Sequence, residues 1–292
     1  MRWMMLLAAL VLSACQHVAT PTPTPTPTPP PIKGEIVDLR SGQLLTAQQL
    51  VARLAASSRI IVGEQHDNRD HHELQLWLLQ ALGARRAQGS LLLEMLTPDQ
   101  QLRVDDVHQA STPPNDVPSA LAWQSGWDWN LYGPIVRFAL EQPYPLLAAN
   151  LTNAQVRSFY AQPPTLSGAR VNAQSVKDEL LAQISESHCG LLPTSQMPAM
   201  LAVQQQRDRR MAERLLAAPT PSMLFAGAFH ARKDIGVPIH VLDLGEPQAP
   251  TVLMLAQQGS DITSAMADYV WYTPATPAPD YCEQMRKQFG KP

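Results

Sequence analysis

The sequence predicts an α/β fold, with a mostly parallel sheet flanked by helices and a smaller all-helical lobe beside it. Three observations carry that prediction. Two apolar runs end in the same Gly-x-x-His pattern: Arg59 to Val62 leads into Gly63-Glu64-Gln65-His66, and Ser222 to Ala226 leads into Gly227-Ala228-Phe229-His230. Each run is short, bulky or β-branched, and opens into a polar stretch of helical period, as a buried parallel strand does where it enters a βα loop. Further apolar runs alternate with helical stretches, the signature of βαβ units. Between about residues 152 and 218 the alternation stops, and only helical period remains.

At the start of the chain, Arg2 precedes an apolar stretch from Trp3 to Leu12, followed by Leu12-Ser13-Ala14-Cys15. This reads as a bacterial lipoprotein leader over residues 1–14, too short to span a bilayer as a helix, with Cys15 as the thiol that takes the lipid. Gln16 after the cysteine favours an outer-membrane address if the source is Gram-negative. Thr-Pro then repeats from Thr20 to Pro29 and closes on Pro30-Pro31, so residues 15–32 form a lipidated cysteine and a spacer. Every second residue of the repeat lacks an N–H, so it extends as a polyproline-like leash of roughly 3.1 Å per residue.

Residues 33–292 remain for the folded domain, enough for one α/β unit with a sizeable core. Its expected strands are Arg59 to Gly63, Ser90 to Glu94, Tyr144 to Asn150, Ser222 to Gly227, Ile239 to Leu244 and Thr251 to Ala256. A helix is expected over Arg69 to Leu82, with Leu74, Trp77, Leu78, Ala81 and Leu82 on one face and Asp67 or Asn68 as cap. The helical lobe holds two strong helices, Ala173 to Ser187 and Met197 to Leu216. From Pro274 onward, Pro274, Pro277 and Pro279 predict irregular chain.

Net charge is −3, and −4 once Arg2 leaves with the leader (21 basic against 25 acidic side chains), which gives nucleic acid no basic face. Besides Cys15 the only cysteines are Cys189 and Cys282, which in an oxidising compartment form a disulfide tying the tail to the body. Neither has metal-ligand spacing. The chain has no Gly-x-Ser-x-Gly elbow, phosphate-binding glycine loop, HExxH or CxxCH.

The strand ends instead deliver Glu64, His66, Glu94, Asn150 and His230 to the carboxyl edge of the sheet, where open α/β folds place ligands. Such a set suits acid–base work or a divalent metal, and equally a hydrogen-bonded network that fixes loops. The stretch Trp123 to Pro134 concentrates three of the six tryptophans beside Tyr132. It makes an apolar wall with one phenol, suited to core packing or to holding ferric iron.

Together, Gly63-Glu64-Gln65-His66-Asp67, Leu92-Leu93-Glu94-Met95, Tyr132-Gly133-Pro134, Leu147-Ala148-Ala149-Asn150, Ser187-His188-Cys189-Gly190, Arg207 to Ala212 and Gly227 to Pro238 resemble the ChaN-like haem-binding lipoproteins. Those belong to a superfamily with Tiki proteases and erythromycin-esterase-like proteins. The resemblance implies haem held at a homodimer interface, a tyrosine on each iron, and a histidine and a lysine of the partner subunit on the propionates. On motif context Tyr132 is the expected ligand, with Tyr160 in reserve, and His230 with Lys233 the propionate pair. His66, His188 and Lys177 stay open. The function so implied is haem and iron uptake from a lipid-anchored position next to an outer-membrane receptor. The alternative is a metal-dependent hydrolase or protease, with Glu64, His66, Glu94 and His230 around the metal and Glu64 and Glu94 catalytic.

Overall fold

The structure, a computed structural model, describes residues 27–32, 34–277 and 280–289. The leader, Cys15 and most of the Thr-Pro spacer lie outside these residues. A hairpin of β1 (Ile36–Asp38) and β2 (Gln43–Leu45) turns at Gly42, whose φ of +71° only glycine adopts without strain. Then α1 (Ala47–Ala55), β3 (Arg59–Glu64), α2 (Arg69–Gly83), β4 (Ser90–Leu93), α3 (Gln101–Gln109), α4 (Val117–Ala120), α5 (Trp129–Leu140) and β5 (Leu146–Ala148) follow. The lobe consists of α6 (Asn153–Ala161), α7 (Gln174–Ser187) and α8 (Met197–Ala217). The chain returns to the sheet as β6 (Ser222–Gly227), passes through α9 (Ala228–Ala231) and α10 (Val237–Asp243), and ends with β7 (Thr251–Gln257), β8 (Tyr269–Thr273) and α11 (Tyr281–Phe289).

The eight strands form one sheet in the order β2-β1-β8-β7-β3-β6-β4-β5, parallel from β8 to β5, with the hairpin antiparallel at the other edge. Strand alternation builds two cores. Ile60, Val62, Leu91, Leu93, Met223 and Phe225 face α1, α2, α3 and α5, while Ile61, Leu92, Leu224 and Ala226 face α8 and α10. This period of two, buried on both sides, is what a central parallel strand requires. Carried one step further, it puts Glu64 on the α5 side of the sheet and Glu94 on the α8 side.

Three expectations need correction. Ile239 to Leu244 lies in α10, not in a strand. Pro238 in the first turn is preset for a helix, Val237 and Val241 bury one face, and a short apolar run does not reveal its period. The segment beyond Pro274 is not wholly irregular, since it ends in α11. The strands β1, β2 and β8 were not expected. The helix at Arg69 does form, capped by Asn68, whose Oδ1 accepts from the His71 N–H at 3.3 Å.

Candidate functional site

Parallel pairing sets Glu64 beside Gly227 in register, so the ends of the two Gly-x-x-His strands are neighbours. Glu64 is buried. Its Oε1 accepts from His66 Nδ1 at 2.6 Å and from the Tyr132 hydroxyl at 2.9 Å. His66 swings back across the strand ends and lies over Gly227, where a Cβ would come within 2.8 Å of its Cε1 and Nε2. Trp127 meets the same imidazole edge-on, with centroids 4.9 Å apart. Partial desolvation in the cleft lowers the pKa of His66, but the Glu64 hydrogen bond and the charges of Glu64, Glu94 and Asp67 prevail and raise it to about 9.

On the other face, Glu94 accepts from the Gly227 N–H at 2.7 Å and lies 3.4 Å from His230 Nε2. His230 Nδ1 is 2.6 Å from Asp208, a fully buried residue of α8. Burial raises Asp208 to about 6 against the pull of His230. Burial likewise opposes the charge of Glu94, yet His230, His66, the Gly227 N–H and Arg207 hold its pKa below the ordinary value. Burial pushes His230 down, and Glu94 and Asp208 more than restore it.

Below these pairs, the strand-to-helix loop is locked by two further histidines. The Gln65 N–H donates to His71 Nδ1 at 3.0 Å, and His72 Nε2 donates to the His66 carbonyl at 3.0 Å. Burial, with His72 alongside, takes His71 down to about 3, so it is a neutral acceptor.

Two adjoining cavities open here, between the sheet edge and the helical lobe. The inner one, about 710 Å³, reaches Glu64 and His66 and has Phe229, Met254 and Leu255 along its wall. The outer one, about 300 Å³, is lined by Tyr160, Val156, His188, Met200, Val203 and Arg207, with Glu94 and His230 at its floor.

The expected site residues divide accordingly. Glu64, His66, Glu94 and His230 do meet at one edge, but as two carboxylate–imidazole pairs on opposite faces of the sheet. Among the described residues no three His, Cys, Asp or Glu side chains are grouped to hold a metal ion. Tyr132 is buried at 1% exposure and spends its hydroxyl on Glu64; burial and that carboxylate hold its phenol strongly protonated. Its oxygen faces Glu64, and the residue lines neither cavity. Lys233 pairs with Asp268 at 2.8 Å and lines neither cavity. Tyr160, the reserve, is 37% exposed and faces the outer cavity, as does His188. Asn150 accepts from Arg207 at 3.0 Å. Cys189 and Cys282 are joined in a disulfide. Asp208 and Gly227 went unrecognised as site residues. A lone acid among Arg207, Arg209 and Arg210 was the available sign of the first, and the repeated Gly-x-x-His of the second.

A parallel-sheet protein with a cleft between its carboxyl edge and a helical lobe, floored by paired acids and imidazoles, is the class that this fold and site define. Residues 50–241, well over half of the chain, match the family described as haem-binding uptake, Tiki superfamily, ChaN, and the chain belongs to that family. Among solved structures it is similar to ChaN of Campylobacter jejuni with cofacially bound haem, at 27% identity and a TM-score of 0.76, over 83% of this chain and 97% of that one. An erythromycin esterase mutant in its open conformation is 14% identical, at a TM-score of 0.45 over 88% of this chain and 87% of its own. A Bacillus cereus protein is 9% identical, at a TM-score of 0.40 over 72% and 68%. No curated protein sequence matches.

Proposed function

We propose that this protein is a membrane-anchored haem-binding lipoprotein of haem and iron uptake, with haem seated in the cleft and its iron taken by Tyr160. The observation that carries the ligand assignment is the exposed Tyr160 phenol, set over an apolar wall of Val156, Met200 and Val203. These residues fit haem: an aryl oxygen for ferric iron, apolar side chains for the macrocycle, and the Arg207 guanidinium as a cation for a propionate. His188, held through Nδ1 by the Ile184 carbonyl at 2.8 Å, stands on the same cavity as a further propionate donor. The cofacial haem of the Campylobacter protein supports a homodimer with two clefts facing each other. The lipid on Cys15 and the Thr-Pro leash place the domain off a membrane, within reach of a receptor that passes haem on. Among the described residues no helix is long and apolar enough to cross a membrane.

Hemin titration with absorption spectroscopy and sizing tests this reading. Saturable binding with a tyrosinate spectrum and a shift to dimer is expected, lost or shifted in Tyr160→Phe and retained in Tyr132→Phe. An unchanged spectrum in Tyr160→Phe sinks the ligand assignment. Absence of saturable binding sinks the carrier.

The two carboxylate–imidazole pairs favour hydrolysis as a second reading. Charged His66 would stabilise a developing oxyanion and Glu94 would draw a proton from water. Under it Glu94→Gln abolishes turnover of an ester substrate while the hemin spectrum stays as it was.

A further inference from the structure

The C-terminal helix α11 packs against the body of the protein through very few groups. Tyr281, Glu283, Gln284, Arg286 and Lys287 are exposed, and Cys282 and Met285 are half-buried. A nine-residue helix does not hold itself together in water, so its anchors decide whether it forms in place. Among the described residues two anchors are seen. On the sheet side the Tyr281 hydroxyl donates to Asp67, and just upstream the Thr276 N–H donates to Gln257 at 2.8 Å. On the lobe side Cys282 is bonded to Cys189, at the end of α7. Cys189 sits at φ +57° just past α7, in a closing turn where its N–H donates to the Glu186 carbonyl and the Gly190 N–H to the Ser185 carbonyl, both at 2.8 Å. Tyr281, itself the sheet-side anchor, forms part of the wall of the inner cavity. The first two residues of α11 thus bridge the sheet edge and the lobe beside the cavity.

We propose that α11 is a lid on the inner cavity, latched by the Cys189–Cys282 bond, and that a dithiol reductant opens it to the ligand. In that step the two thiols of the reductant become its own disulfide. Two electrons and two protons pass to the protein, the Cys189–Cys282 bond breaks, and both cysteines are released as thiols. Freed from the lobe, α11 keeps only the contacts of Tyr281 and its neighbours, and the inner cavity joins the outer one through Gln183, Ser187, Gln204 and His230, which line both. The identity of the ligand as haem rests on the function proposed above, whereas the lid does not.

Two measurements test this on the whole protein. Hydrogen exchange read by mass spectrometry is compared for the oxidised protein and the protein reduced with dithiothreitol. Reduction is expected to speed exchange at least tenfold in 281–289 and at the cavity walls, 183–191 and 254–262, with β3 and β6 unchanged. Equal exchange in both forms overturns the lid. Hemin uptake by stopped flow is then compared for wild type and Cys189→Ser with Cys282→Ser. Uptake at least fivefold faster in the double variant supports gating, and equal rates overturn it. Should the double variant fail to fold, Tyr281→Phe, which loosens the other anchor with the disulfide in place, supplies the same comparison. If hemin binds to none of them, the carrier function fails and the exchange result alone judges the lid.

Discussion

At Gly227 the site depends on a side chain that is not there. His66 occupies the space a Cβ would take, and from that position its Nδ1 reaches Glu64. Gly227→Ala is therefore expected to turn the imidazole aside and leave the strand in place. Titration of His66 by NMR then moves from about 9 toward the free value near 6.5. The same pair carries a pH dependence. The folded pKa of His66 lies above its unfolded value, so the pair stabilises the protein fully below pH 6.5 and loses that contribution as pH rises through about 9. The thermal midpoint of the wild type is expected to fall across this window, and Glu64→Gln to flatten the fall. A slope that survives in Glu64→Gln would assign it to other groups.

At the scale of elements, α6 is the piece on which the proposed haem site stands. Its start is secured by a reciprocal cap, in which the Thr152 hydroxyl accepts from the Gln155 N–H and the Gln155 side chain from the Thr152 N–H. No side chain of the helix is fully buried, so the cap matters more here than in a helix pinned by a core. Thr152→Ala is expected to cost about 1 kcal/mol in denaturant unfolding and to weaken hemin binding, since Tyr160 rides on the same helix. Elements like α2, with a cap and a long apolar face, were legible in the sequence, and so were the central strands, where two-sided burial leaves unbroken apolar runs. The run at Ile239 was not, because four apolar residues in a run of six suit either period and the decision lay with Pro238. For the site, the edge was legible in the sequence, three of its ionisable groups from the repeated motif and Glu94 from the end of another apolar run. Which phenol faces solvent was not, since that depends on how α5 and α6 pack, and Tyr132 turns inward to meet a carboxylate from the opposite end of the motif set.

For the molecule as a whole, the disulfide closes a loop spanning 93 positions, including the lobe helix α8 and three strands of the sheet. Cross-linking a chain over such a distance removes conformational freedom mainly from the unfolded state, typically by about 2–4 kcal/mol. Reduction is expected to lower the denaturant midpoint by a corresponding amount, with little change in far-UV circular dichroism before the transition. A midpoint indifferent to reductant would mean that the tail contributes nothing to global stability.

The strand order has a kinetic consequence. β3 and β6, whose ends hold Glu64 and Gly227, are adjacent in the sheet, yet the whole helical lobe and two other strands intervene in the chain. Pairings between such distant segments form late, because the loop between them must close before any contact compensates for the closure. A chain in which β6 has not yet joined the sheet has Glu64 and His66 but no partner strand on which to place them. The two carboxylate–imidazole pairs are thus assembled only in finished molecules.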